Sequence, residues 1–487
     1  MRSRFFNTFM AMTLGWAAMA TPAHAASDLT FDPDFAFTGG KDTFSVGGAS
    51  KQERVVALLP SSGAAAGYWV VSLAAQPLVS TVVLTHVTDQ GGNAGTQITP
   101  LLNITGVVAA TIAEDYAHER IFLLGSAPGG AADFGVECLD VHNGDFHGDC
   151  ANFSPATGYT RIDFAQGGTP YDFPSCIAYY NGSVFVAGRV NIAPDPGDVH
   201  FAIGVAKLSA GSGALVTTWG NLTPSKGFFI KALNYTTNGA DTPRAILATR
   251  PDPDGARVDV FVAGTAQAGA NDTDGWIMAI DDDLTEGAQL DPQWNSGNAR
   301  RIFYDLGSTN KQDEITAMTQ RHNGNLLVTG IAYRDDTNDL ILGEIKPNGA
   351  LLTSFNGGGL NHAQWTSFNQ IPVAIAERPG AGNFVVASTD SYGLAATPLV
   401  AGLAQFTANG TKVMASNFLN YAASDPSKNS THGGGMIVDA KNRVIFAGWF
   451  LATPGGVPTS DTDDEFIAGL EADDTIFAND FGGFYRD

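Results

Sequence analysis

Short apolar segments alternate with polar turns along this chain, and their spacing is that of β-strands. Between Glu314 and Gly359, three apolar segments (315–318, 326–329 and 340–345) follow one another. An Asn-Gly step at Asn323 separates the first two, and such steps favour tight hairpins because both residues tolerate positive φ angles. Convincing helical periodicity is absent everywhere beyond Ala25. This unit therefore predicts a small antiparallel sheet.

A β-forming run that ends in glycine or another small residue recurs along the chain and serves as an anchor for aligning such units. The anchors are residues 69–73, 121–125, 184–188, 260–264, 326–330, 384–388 and 444–448. Apolar segments precede them (55–59, 107–112, 175–180, 245–249, 315–318, 373–376 and 434–438) and follow them (82–87, 136–141, 203–208, 276–280, 340–345, 399–404 and 466–470). The interval between successive anchors varies, as expected for units joined by surface loops of different length. This pattern predicts an all-β fold, a seven-bladed β-propeller built from loose repeats of about 60 residues.

The N-terminus has the features of an export signal. Arg2 and Arg4 precede an apolar run over residues 5–20, and Ala23-His24-Ala25 has small residues at the cleavage positions. We therefore expect a signal peptide at residues 1–25, a single propeller domain over 26–487, and a secreted or periplasmic location. Similar Phe- and Gly-containing segments beginning at Phe35 and Asp480 predict that the two termini meet in one blade.

Charge and hydropathy limit the kinds of partner that the protein is expected to bind. The formal net charge is −23, so the surface should repel nucleic acid. No later stretch is apolar without interruption over the length that a bilayer requires, so we expect no membrane-spanning helix. A monomer that contacts a protein, a glycan or a surface component is the expected form.

Two of the three cysteines suggest a local cross-link. Cys138 and Cys150 are close in sequence, and export favours a disulfide between them. Free thiols remain an alternative, as does a zinc site completed by His142 and His147, although this ligand order matches no common zinc module. Cys176 lies in an apolar strand segment and is expected to be a buried thiol.

Acidic residues concentrate in the turns between the second and third strands. One Asp near the start of the third strand recurs (Asp133, Asp198, Asp274, Asp339 and Asp464), and we expect it to hydrogen-bond the backbone of its own turn. The surplus acids should gather on one rim and bind calcium weakly, or be simply hydrated. The candidate calcium ligands are Asp272, Asp274, Asp335, Asp336, Asp461, Asp463 and Asp464, with Asp195 on the same rim. No other cofactor is expected.

The longest interval between anchors contains an aromatic segment. It carries Trp219, Phe228, Phe229 and Tyr235. These side chains could project as a ligand-contacting loop, or they could form the outer strand and pack between blades.

One unit also resembles a known family. Residues 291–359 combine the Asn-Gly-Asn turn at Asn323, the run at 326–330, an Asp before the third strand, Pro347-Asn-Gly-Ala-Leu and a closing Phe355-Asn-Gly-Gly-Gly. This pattern is similar to the delta-60 repeat family of exported bacterial proteins. The unit opens with Asp291-Pro-Gln-Trp294, and Asp32-Pro33-Asp34-Phe35 opens the first unit similarly. The resemblance implies a β-propeller-like fold. The family has no general catalytic motif to transfer.

Two functions are compatible with these features. Common nucleophile and zinc-protease motifs are absent, which favours a non-catalytic exported scaffold that binds a ligand through its loops. The alternative is a secreted or periplasmic enzyme, a hydrolase, lyase or oxidoreductase with its site at the central channel, because function resides in sites added to folds. The catalytic residues are not identifiable from the sequence.

Overall fold

The computed structural model describes most of the chain between Thr30 and Glu471. The described ranges are 30–31, 35, 41–44, 52–61, 66–75, 80–98, 100, 102–107, 112–128, 133–164, 172–192, 200–222, 227–236, 239–251, 257–282, 287–307, 311–334, 337–363, 369–379, 382–391, 399–413, 417–419, 431–452 and 462–471. The expected signal peptide at 1–25 and the C-terminal segment at 472–487 lie outside these ranges.

The described chain is all-β apart from two 3-10 helices, at Tyr116–His118 and His142–Gly144. The first fifteen strands are β1 (Thr30–Phe31), β2 (Lys41–Phe44), β3 (Gln52–Ser61), β4 (Gly67–Ala75), β5 (Ser80–Thr88), β6 (Asn93–Ile98), β7 (Ile112–Asp115), β8 (Arg120–Ser126), β9 (Phe134–Asp140), β10 (Gly148–Asp149), β11 (Tyr159–Ile162), β12 (Phe173–Tyr180), β13 (Ser183–Asn191), β14 (Phe201–Ser209) and β15 (Phe228–Lys231). The others are β16 (Asp241–Thr249), β17 (Asp259–Gly269), β18 (Asp272–Asp281), β19 (Gln289–Leu290), β20 (Arg300–Ile302), β21 (Lys311–Gln320), β22 (Leu326–Arg334), β23 (Thr337–Ile345), β24 (Leu360–Ala363), β25 (Gln370–Glu377), β26 (Phe384–Ser391), β27 (Leu399–Phe406), β28 (Asn417–Leu419), β29 (Thr431–Val438), β30 (Val444–Ala452) and β31 (Thr462–Glu471). Within the described ranges, no helix is long and apolar enough to span a membrane.

The strands pair as antiparallel meanders in chain order. In that order the meanders are β3–β6, β7–β11, β12–β15, β16–β20, β21–β24, β25–β28 and β29–β31. We number them first to last in this order. The fourth and fifth join into one nine-stranded sheet through a short parallel pairing of Asp272 and Thr273 with Lys311 and Gln312. The N-terminal strands β1 and β2 pair with β31, so the first and last described strands share one sheet. The segment beginning at Asp480, expected in the same blade, lies outside the described residues.

The anchor runs all lie in the second strand of a meander. They fall within β4, β8, β13, β17, β22, β26 and β30. One predicted first strand is described only in part: of the segment expected at 107–112, residues 108–111 lie outside the described ranges, and β7 runs over Ile112–Asp115. The 3-10 turn at Tyr116–His118 sets this register, because it places Asp115 opposite Arg120.

A recurrent β-bulge explains why the anchors end in a small residue. First strands such as β16 and β21 gain one residue opposite the anchor, at Arg244 and Thr316. The bulge brings a backbone carbonyl close to the anchor glycine, so a Cβ atom on Gly330 would lie 1.8 Å from the carbonyl oxygen of Glu314. At the anchors that end in glycine, the absence of a side chain is therefore a requirement of packing.

Apolar clusters join each meander to the next. Buried side chains of consecutive meanders share one cluster each, and a further cluster around Val55, Leu58 and Ile445 joins the last meander to the first. The first strands contact one another in the series β7, β12, β16, β21, β25, β29 and β3. First strands therefore lie innermost, which is the arrangement of a β-propeller-like fold.

Buried carboxyls connect several meanders at the start of their first strands. Asp172, Asp241 and Asp313 accept backbone N–H bonds from Phe164 (3.3 Å), Leu233 (2.7 Å) and Tyr304 (2.7 Å), which follow the outer strand of the preceding meander. Burial raises the pKa of Asp172 and of Asp241 to about 6, and these N–H bonds oppose the shift. The bonds therefore tie the start of each of these first strands to the preceding meander.

Candidate functional site

The expected disulfide is present. Cys138 and Cys150 are bonded, with their Cα atoms 5.4 Å apart, and Cys176 is a buried free thiol. The alternatives with free thiols at these two positions or with zinc are therefore wrong, because both sulfurs are engaged. His142 instead bonds Asp140 through Nδ1 (2.7 Å), and its ring stacks on that of His147.

The cross-link should stabilise the second meander. We expect non-reducing mass spectrometry to find a peptide containing Cys138 linked to one containing Cys150. A Cys138→Ala/Cys150→Ala variant should lose about 3 kcal/mol of unfolding free energy, as loop-closure entropy predicts for a loop of this length. A Cys176→Ala variant is the control, and it should leave the linked peptide unchanged. A linkage through Cys176 would contradict the assignment.

The structure does not describe the side chains of most of the expected calcium ligands. Asp195, Asp198, Asp335, Asp336 and Asp461 lie outside the described residues. For Asp463 and Asp464 the backbone belongs to β31, but their side chains lie outside the described part of the structure.

Three of the recurrent Asp residues at the third strand are buried and pair with basic side chains. Asp133 pairs with Arg161 and Asp274 with Arg301, both on the outer strand of the same meander. Asp339 pairs with Arg334 (2.8 Å), at the end of the second strand, and with His362 (3.2 Å) on the outer strand. The turns before Asp133 and Asp339 lie outside the described residues, so the expected bond to the turn backbone stays a prediction.

Asp272 and Asp274 do lie close together, and Asp305 joins them. Ligand atoms of these three carboxyls lie within 4.8 Å of one another, as do those of Asp133, Asp163 and Asp172. Arg301 already binds Asp274. The calcium hypothesis stays a prediction.

The aromatic segment packs rather than projects. Phe228–Lys231 forms the outer strand β15, and Trp219, Phe228 and Phe229 are buried. Trp219 and Phe229 belong to the cluster between the third and fourth meanders. The packing interpretation is therefore confirmed.

The strongest candidate site lies where the first strands begin. Because the meanders repeat, these starts lie at one end of the central axis, and we call this set of residues the axial face. The axial face comprises residues near the start of the first strands, their partners on the second strands and two bulge residues. The first-strand residues are Arg54, Phe173, Thr242, Glu314, Ile371 and His432, and the bulge residues are Arg244 and Thr316. Their partners, each one position after the small residue of the second strand, are Leu73, Arg189, Thr265, Ile331, Thr389 and Trp449. Phe173 is 39% exposed and Ile371 42%, although large apolar side chains are usually covered.

An ion pair joins two neighbouring meanders on this face. Arg244 Nε lies 2.5 Å from Glu314 Oε1, and the Glu314 side chain is 25% exposed. Burial raises the pKa of Glu314 above its usual range, and Arg244 opposes that shift. A carboxyl with a raised pKa and a specific charge partner is typical of functional sites.

Arg189 lies beside this pair. Its guanidinium carbon is 4.5 Å from the ring centroid of Phe173 and 4.3 Å from that of Phe201. Burial lowers the pKa of Arg189, and the nearby charge of Arg244 lowers it further. Its Nε atom is buried without a hydrogen-bond partner, and Arg189 forms no ion pair with any described residue.

A second group on the axial face belongs to the last and first meanders. The rings of His432 and Trp449 stack with centroids 3.6 Å apart, and the Arg54 guanidinium lies 5.2 Å from the Trp449 centroid. Burial, assisted by the charge of Arg54, lowers the pKa of His432 to about 4. His432 is therefore neutral at physiological pH and available as a hydrogen-bonding group.

Sequence reasoning missed the axial face, although a signal was present. Arg189 and Trp449 immediately follow the anchor glycines Gly188 and Gly448. A search for chemically reactive residues one position after each anchor would have found both. No comparable local signal identifies Arg244, which reaches the face because of the bulge.

Comparison with known proteins gives no family assignment. No protein-family model matches this chain, and no curated protein matches it. Among solved structures, one is a polysaccharide lyase of family PL25, an ulvan lyase, at 9% identity and TM-score 0.47, with 88% of this chain and 96% of that chain covered. Another is the polysaccharide lyase Uly1, at 14% identity and TM-score 0.43, with 85% and 90% covered. A third is the GH43 endo-arabinanase from Bacillus licheniformis, at 10% identity and TM-score 0.27, with 61% and 93% covered.

Proposed function

We propose that residues 26–487 form one closed seven-bladed β-propeller, with each meander as a blade, in a protein of the delta-60 repeat type. The shared apolar clusters and the pairing of β1 and β2 with β31 support closure. The protein is exported, which the disulfide supports, because disulfides persist in oxidising compartments.

We further propose that the protein is an enzyme that acts on a polysaccharide at the axial face, in preference to a non-catalytic scaffold. The observation that carries this proposal is the Arg244–Glu314 pair on a face that also carries aromatic rings. A scaffold needs no carboxyl with a perturbed pKa at the axis. Exposed aromatic side chains beside a few polar groups are typical of ligand sites.

Glu314 is the expected proton donor. A carboxyl whose pKa is raised keeps its proton to a higher pH than usual, and its protonated form can protonate the oxygen that leaves when a glycosidic bond breaks, which is general acid catalysis. Arg244 is a positioning residue, since it holds the carboxyl in one orientation. Whether the bond is broken by water or by elimination decides between hydrolase and lyase.

Activity should depend on Glu314 in its protonated form. Incubation of the full-length, disulfide-bonded protein with neutral and acidic polysaccharides should release new reducing ends. Glu314→Gln should lower the rate by about 100-fold or more, as for other general acids. Because the pKa of Glu314 is raised, the rate should stay high at acidic pH and fall as pH rises through that pKa. New ultraviolet absorbance from an unsaturated sugar would identify a lyase, and its absence a hydrolase.

A matched control is available at the far end of a first strand. Glu114, near the end of β7, is also partly buried, and burial raises its pKa to about 8. Glu114→Gln should retain activity if the axial face is the site. Loss of activity in Glu114→Gln alone would move the site to the opposite end of the axis. Polysaccharide binding without any cleavage would favour the scaffold.

A further inference from the structure

Three arginines gather on the axial face of a strongly acidic protein. The chain contains 26 lysines and arginines and 49 acidic residues. Arg54, Arg189 and Arg244 nevertheless lie on this face, where the described ion pairs provide one carboxylate, Glu314. The nearby carboxyls Asp172, Asp241 and Asp313 are buried and already accept backbone N–H bonds between meanders. The face therefore carries positive charge that the described residues leave unbalanced.

Arg189 and Arg244 are close enough to disfavour each other's charge. The positive charge of Arg244 lowers the pKa of Arg189, beyond the effect of burial. Like charges in a partly buried site cost free energy unless an anion lies near both. Glu314 is placed to balance Arg244, whereas Arg189 has no described carboxylate.

The environment of Arg189 restricts what it can bind. Aromatic rings from Phe173 and Phe201 approach the guanidinium. Its buried Nε atom has no hydrogen-bond partner, although buried donors are normally paired. The remaining N–H groups of a guanidinium are parallel donors that match two oxygens of one planar or tetrahedral anion.

We propose that Arg189 and Arg244 form a receptor for an anionic substituent, a carboxylate or a sulfate, on the sugar bound at the axial face. The inference rests on the proposed function for the location of the saccharide, and not for the reaction. Arg189 binds the substituent through the outer nitrogens of its guanidinium, and Arg244 contributes the second positive charge. Glu314 competes with the ligand for Arg244.

Calorimetric titration with small sugars tests the receptor directly. Glucuronate and glucose 6-sulfate represent the two sources of negative charge, glucose is the neutral sugar, and inorganic sulfate is the anion alone. We expect both acidic sugars to bind at least about tenfold more tightly than glucose, with affinity that falls as salt is added. Equal binding of glucose and glucuronate would overturn the inference. Inorganic sulfate that binds as tightly as the acidic sugars would also overturn it, because the site would then recognise only the ion.

Substitutions separate the roles of the three residues. Arg189→Ala should weaken binding of the acidic sugars by about 10- to 100-fold, the range for hydrogen bonds to charged groups. Arg244→Ala should weaken it as well, and because this side chain is half exposed, folding should be unaffected. Arg250→Ala is the matched control: Arg250 follows the opposite end of the same strand and is exposed. Unchanged affinity in Arg189→Ala and Arg244→Ala would refute the receptor.

Glu314→Gln distinguishes this inference from the proposed reaction. The substitution removes the carboxylate that competes for Arg244, so acidic sugars should bind more tightly even though cleavage is lost. Tight binding of acidic sugars without cleavage by the unmodified protein would uphold the receptor and refute the enzyme. Cleavage of neutral polysaccharides but not of acidic ones would uphold the enzyme and refute the receptor.

Discussion

Replacement of Arg321 by alanine is expected to lower the free energy of unfolding by about 3–5 kcal/mol, the range for a broken buried ion pair. The Arg321 side chain is 4% exposed. It donates to Glu344 (2.7 Å) in its own meander and to Glu377 (2.8 Å) in the next. It also donates to the carbonyl oxygens of Gly382 and Ala408. The variant would leave two carboxylates and two carbonyls without this partner, between the fifth and sixth meanders.

Denaturant unfolding with matched variants measures this effect. Lys441 pairs with Asp89 at 2.7 Å in a site where both side chains are about half exposed, so Lys441→Ala should change stability by less than about 1 kcal/mol. Arg321→Lys keeps the charge but lacks the planar guanidinium, so its loss of unfolding free energy should lie between those of Arg321→Ala and Lys441→Ala. If Arg321→Ala unfolds at the same denaturant concentration as Lys441→Ala, the buried network does not hold the two meanders together.

Gly330→Ala is expected to lower the free energy of unfolding by about 3 kcal/mol or more, the upper range for overpacking. The added methyl group would lie 1.8 Å from the carbonyl oxygen of Glu314, and backbone atoms cannot move aside as a flexible side chain can. The bulge at Thr316 would have to open, and the fifth meander would lose pairing between its first two strands. The same close approach occurs at Gly188, Gly264 and Gly448.

Gly358 provides the control for this substitution. No atom lies within 4 Å of the position that a Cβ would occupy there. Gly358→Ala should therefore change the free energy of unfolding by no more than about 0.5 kcal/mol. Thermal or denaturant melting of the two variants side by side measures the difference. Equal stability of the two would mean that the bulge adapts and that the anchor glycines have another role.

The sequence alone determined the strand content and its order. Each anchor run falls within a second strand, and at five anchors a glycine lies where a backbone carbonyl of the neighbouring segment comes too close for a side chain. The Asn-Gly turn at Asn323 and the spacing of apolar segments were sufficient to locate the hairpins, since these signals act over short stretches of chain. The disulfide could also be predicted, because Cys138 and Cys150 are near in sequence.

Only the tertiary structure decided which distant residues share a site. Arg189, Arg244 and Glu314 come from three consecutive meanders and are far apart in the chain. Their proximity depends on how the meanders pack around the axis, and the bulge at Arg244 shifts the strand register, which no local pattern reveals. Likewise, the cations that pair with Asp133 and Asp274 lie on a later strand, beyond the turn that follows each third strand. Local preferences specify strands and turns, whereas charge pairs across strands exist only once the register is set.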